Sequence, residues 1–190
     1  MAAGRPLHCG FAFIPRSPLS SALVSLEMSD PEPIVIARYA AGRLSTEDLV
    51  EYADRKLVEG AYSDHLVAIL DETIKNWDTI SPLFELAVRD LGHSIPSFEN
   101  AISQLVRYHI GLIAAGNVDP LLQLSILWRD IDRFDLHKDV RNYVGDAIGV
   151  EALYGLYFAV DDLNDSSRDE GLQEIKTEIV VESGRWLKNH

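Results

Sequence analysis

The side chains that could do chemistry are few, and most are carboxylates. Asp161-Asp162-Leu163-Asn164-Asp165 packs three aspartates into little more than one helical turn. Carboxylates one turn apart can share a hard cation and leave positions for phosphate oxygens. Glu151 is the only charged residue between Ala147 and Val160. A carboxylate alone in apolar sequence needs a buried partner or a raised pKa, which is how functional acids are made. The plainer reading places Glu151 near a helix start, half exposed or paired with an arginine. His109 stands in line with Leu105 and Leu112 on an apolar face. It reads as a satisfied core histidine, with a ligand or base role as the sharper alternative.

Other chemistry is missing. No His-Glu-x-x-His, Glu-x-x-His, Gly-x-Ser-x-Gly, phosphate loop or dinucleotide fingerprint occurs. Cys9 is the single cysteine, so an internal disulfide framework and a cysteine zinc site are excluded. No cofactor is expected. Glu151 and His109 are thus weak catalytic candidates, and Asp161, Asp162 and Asp165 weak metal candidates.

Helices must position these residues. Glycines close apolar periodic segments at Gly42, Gly60, Gly92 and Gly116, where a helix ends in a left-handed residue. Ser45 precedes an acidic first turn, and Ser63 and Ser97 are similar caps. Ser81-Pro82 and Asp119-Pro120 each read as a cap followed by proline at the first helical position. The segments 46–59, 82–91, 98–115, 120–134 and 170–188 carry apolar residues at a period near 3.6. No segment alternates as a strand does. The expectation is an all-α, single-domain helical bundle of about eight helices. The segment 147–160 is apolar around its whole circumference, which predicts a helix at the centre of the bundle. Arg129-Asp130-Ile131-Asp132-Arg133-Phe134-Asp135 reads as an exposed, mixed-charge rim. Ala40-Ala41-Gly42 and Ala114-Ala115-Gly116 sit in matching contexts, so a duplicated helical pair is one possibility and shared capping rules the other.

The chain of 190 residues is long enough for one domain with a sizeable core. Its 17 bases and 30 acids give a net charge of −13, which repels nucleic acid and anionic lipid. No apolar run approaches the length of a membrane span. Every acid lies from Glu27 onward; residues 1–26 hold Arg5 and Arg16 and three prolines. We read 1–27 as a disordered or non-native extension that adds nothing to the core, with an export signal or transit peptide as alternatives. Residues 28–190 are the helical domain.

Two resemblances bear on function. The aspartate run resembles the Mg²⁺–diphosphate motif of prenyl and terpene synthases, but the chain is short for that fold and carries no second motif. Tyr62-Ser63-Asp64-His65-Leu66, Pro82 through Ala87, and Tyr143-Val144-Gly145-Asp146 through Asp161-Asp162-Leu163 resemble recurrent strings in a group of small bacterial all-helical proteins with no assigned activity. That resemblance spans roughly 32–188 and implies a bacterial, cytoplasmic helical protein. It supplies no catalytic residue. The acidic run from Asp161 to Glu174 reads as a solubilising loop or as a docking surface for a basic protein partner. The expected function is a non-enzymatic acidic interaction protein. The alternative is a small carboxylate- or metal-dependent enzyme using Asp161, Asp162, Asp165 and Glu151.

Overall fold

The computed structural model describes residues 30–136, 143–164 and 168–190. Among these the chain is all-helical: α1 Glu32–Ala40, α2 Thr46–Val58, α3 Asp64–Asp71, α4 Trp77–Asp90, α5 Phe98–Ala114, α6 Pro120–Asp130, α7 Glu151–Ala159 and α8 Arg168–Asn189. Short 3₁₀ turns at Asp146–Ile148 and Val160–Asp162 flank α7. No described helix is long and apolar enough to cross a membrane.

Most boundaries follow local chemistry. Ser45 accepts from the Asp48 amide while the Asp48 carboxylate accepts from Ser45 N at 2.6 Å, a reciprocal capping box. Asp119 accepts from Leu122 N at 3.0 Å, with Pro120 behind it at the first helical position. Gly42, Gly60, Gly92 and Gly116 all have positive φ at helix ends.

Helix α4 corrects one expectation. It begins at Trp77 rather than at Pro82, because Asn76 and Thr79 form their own capping box. Pro82 lies inside the helix on its exposed side, where the carbonyl that loses a partner can meet solvent. Ser81 is not a cap. Its Oγ lies 2.7 Å from the Tyr39 hydroxyl, which also donates to Glu85, so the pair ties α4 to α1.

The 147–160 segment corrects a second. Gly149, at φ 68°, interrupts it, and only Leu153 of α7 is buried. The helix is not at the centre of the bundle but packs along α8 at the edge. An all-apolar circumference implied partners on every side, and partners exist on one. The aromatic residues Tyr154, Tyr157 and Phe158 pack laterally on each other and on Trp128 instead.

The most enclosed helices are α5 and α1. Helix α5 buries Ala101, Ile102, Leu105, Val106, His109, Ile110 and Ile113, one face at helical spacing. Helix α1 buries Ile34 through Tyr39 without a gap. Its Ile34 and Ala37, with Ala41 just past its end, join α5–α8 in one core cluster. Its Val35, Ile36 and Tyr39 join α2–α4 in a second, around Phe84, Tyr52 and Leu66. Each large apolar side chain taken fully out of water contributes about 1.5–3 kcal/mol, so α1 holds two cores together. The two Ala-Ala-Gly turns share capping geometry but not packing. Helix α5 lies against α6, whereas α1 packs chiefly on α5 rather than on α2.

Candidate functional site

Two places gather polar groups. The first is buried where α1, α5 and α6 meet. Arg38 Nε donates to Asp130 Oδ2 at 2.7 Å, and His109 Nε2 lies 2.9 Å from the same oxygen. Gln123 Nε2 lies 2.5 Å from His109 Nδ1. Both ring nitrogens of His109 are thus taken up, one by Gln123 and one by Asp130. Arg38 is 4% exposed, Asp130 3% and His109 0%. Burial alone would raise the Asp130 pKa. The His109 hydrogen bond and the Arg38 charge outweigh it and hold the carboxyl below its ordinary value. His109 is therefore a satisfied core histidine. Asp130, expected on an exposed rim, is buried together with Ile131, while Asp132 stays outside and pairs with Arg43.

The sequence did signal this quartet. Arg38 interrupts the apolar run Ile34–Ala41, and Gln123, Leu127 and Asp130 share one face of α6 at i, i+4 and i+7. A polar residue in line with core positions must find a partner across the core.

The second place is a cleft of about 560 Å³ between the start of α7 and the end of α8. Asp146, Glu151 and Glu182 line it, with Arg185, Trp186 and His190. Trp186 donates from Nε1 to the Ile148 carbonyl at 3.1 Å and stacks on His190 at 4.6 Å between ring centroids, forming one wall. Gly149 backs that wall; a Cβ there would lie 2.6 Å from His190 Nε2. Glu182 pairs with Arg185. Glu151 is exposed and has no ion-pair partner among the described residues. Glu182 is matched by Arg185, so the carboxylate that the cleft leaves unpaired among the described residues is Glu151.

The remaining sequence candidates are scattered. Asp161 and Asp162 are exposed on the 3₁₀ turn that ends α7. At 1.5 Å per residue they lie about 15 Å from Glu151 along the helix axis, so the two groups do not converge. Asp165 lies outside the described residues. No cluster of three or more His, Cys, Asp or Glu side chains able to hold a metal occurs among the described residues. Trp186 and Glu182 were missed, because their meeting with Glu151 depends on how α8 folds back along α7. No family model, curated protein or solved structure matches the chain.

Proposed function

We propose that the protein is a non-enzymatic acidic interaction protein that binds a basic partner protein through the surface built by α7 and α8. The observation that carries this reading is the cleft. The unpaired Glu151 carboxylate and the Trp186 ring suit a lysine or arginine side chain, which gains ion pairing and contact with an aromatic face. The exposed side of α8 extends the same field. Glu170, Glu174 and Glu178 recur every fourth residue, exposed and without ion-pair partners among the described residues. Such like-charge neighbours cost a helix about 0.2–0.5 kcal/mol per pair, a cost a cationic partner would remove. An acidic field also accelerates encounter with a basic protein. The enzyme alternative needs Glu151 and the aspartate run together, and Asp161 and Asp162 lie about 15 Å from Glu151 along the helix axis. Assignment to the bacterial cytoplasm rests on the sequence resemblance.

The test is titration with poly-lysine and poly-glutamate, followed by Trp186 fluorescence in a chain carrying Trp77→Phe and Trp128→Phe. Poly-lysine should bind and weaken with added salt, and poly-glutamate should not bind. Glu151→Gln with Glu182→Gln should weaken binding more than Glu47→Gln with Glu51→Gln on α2. Equal losses would mean that only net charge matters and would overturn a defined binding surface.

A further inference from the structure

Among the described residues Leu153, Leu156 and Tyr157 of α7 pack on the core, while Gly155 and Phe158 face outward. Ala152 through Val160 carry no charge, yet only Leu153 is buried. Phe158 is one of ten exposed large apolar side chains among the described residues, and the carboxylates in line with it set it apart. The outward stripe reads Glu151, Gly155, Phe158 and Asp162, at i, i+4, i+7 and i+11. It is a glycine and a 46% exposed phenylalanine between two carboxylates. A Cβ at Gly155 would meet nothing within 4 Å, so the fold does not require glycine there, and alanine would favour the helix. Gly111 and Gly184 are equally open, so the glycine alone assigns nothing. The aromatic ring and the carboxylates in line with it give the face its chemistry.

We propose that this face seats a cationic amphipathic helix of the partner, with Gly155 as the point of closest backbone approach. The proposal rests on the basic-partner reading and adds its place and form. Charge decides the occupant. Helix α7 has Glu151 at one end, Asp161 and Asp162 at the other, and no base between. A second copy laid on it, in either direction, sets carboxylates against carboxylates. A helix with Lys or Arg near both ends of a stretch of about 16 Å, eleven residues, meets a carboxylate at each end. Its apolar residues then cover Phe158 and close on Gly155. Trp128, edge-on to Tyr154 at 5.6 Å and to Tyr157 at 6.3 Å, forms an aromatic flank for the stems of long basic side chains. Glu151 and Ala152 also line the cleft, so the seat runs into it.

The experiment uses a labelled synthetic peptide of leucine, alanine and lysine, about 18 residues or five helical turns long, and its twin with glutamate for lysine. Anisotropy is measured against the full chain and its variants. The lysine peptide should bind and the glutamate peptide should not. Gly155→Leu should weaken binding about tenfold or more without lowering Tm, and Asp161→Lys with Asp162→Lys should do the same. Undiminished binding to Gly155→Leu, with loss on Glu170→Gln and Glu174→Gln, would overturn the seat and leave the basic-partner reading standing. No binding of the lysine peptide to the unaltered chain would overturn the seat; the poly-lysine titration judges the broader reading separately. A dimer in sedimentation that Gly155→Leu dissociates would give the face to a second copy and overturn the proposal.

Discussion

Replacing Asp130 by Asn tests whether the buried quartet is a structural tie. The substitution keeps the shape and removes the charge that Arg38 and His109 share. Hydrogen bonds to charged groups are worth about 1.5–3 kcal/mol each, and breaking one side of a buried ion pair costs about 3–5 kcal/mol. Both routes give a loss of about 3–5 kcal/mol, a large part of the 5–15 kcal/mol typical of a domain. For a chain of this size that is a fall in Tm of about 6–20 °C. Urea unfolding followed by circular dichroism should show a lower midpoint with an unchanged slope. The pH dependence has a definite sign. The folded-state pKa of Asp130 is depressed, so its contribution is complete above the unfolded value near 4. It is lost as pH falls through the lower folded value, so wild type and variant should converge only in acid. Replacing the whole quartet, Arg38→Met, Asp130→Leu, His109→Leu and Gln123→Leu, should recover much of the loss, since apolar replacement of a complete buried polar group is often neutral. A cost for Asp130→Asn below about 1 kcal/mol, or a difference that persists unchanged into strong acid, would refute the reasoning.

Four further outcomes follow from burial and local chemistry, all readable by chemical or thermal unfolding. Ile110→Ala should cost about 2–5 kcal/mol because Ile110 is fully enclosed in α5, whereas Phe158→Ala on the exposed side of α7 should cost less than about 1 kcal/mol. Gly155→Ala should raise stability by about 0.5–1 kcal/mol, since the added Cβ meets open space. Ser45→Ala removes one half of the capping box and should cost about 0.5–2 kcal/mol. Mg²⁺ or Ca²⁺ should change Tm no more than NaCl at matched ionic strength; a specific rise that vanishes when Asp161, Asp162 and Asp165 are replaced by Asn would reinstate a metal site.

Capping residues made most of the fold legible, because a cap acts within four residues and needs no knowledge of the rest. Ser45, Ser63, Ser97 and Asp119 each begin the helix their chemistry predicts. Ser81-Pro82 misled because the same side chain that could cap a helix is used across the core, on Tyr39. Helix α7 misled for a different reason. Its composition reports that apolar surface should be covered, and composition cannot say whether the chain or another molecule covers it. The site followed the same division. His109 was legible as a core histidine from its line with Leu105, but Asp130 and Gln123 lie on another helix, and α6 could supply them only once it packed on α5. Glu151 was singled out for its isolation, and the tertiary fold gave it different company, Glu182 and Trp186.

The net charge of −13 is spread unevenly over the chain. Many of the chain's bases are used internally: Arg38 on Asp130, Arg43 on Asp132, Lys56 on Glu32 and Glu59, Lys176 on Asp119 and Arg185 on Glu182. Each pair neutralises an acid with its base, so the excess negative charge falls on groups such as Glu151, Asp161, Asp162, Glu170, Glu174 and Glu178, which have no base matched to them among the described residues. Self-repulsion among them lowers stability and is relieved only by salt or by a partner that brings its own cations. The two remedies compete. Binding of a basic partner should therefore stabilise the chain most at low ionic strength, where the unbound state is most strained by its own charge. An association that strengthened with salt would have to be driven by the aromatic face of α7 alone, with the carboxylates as bystanders.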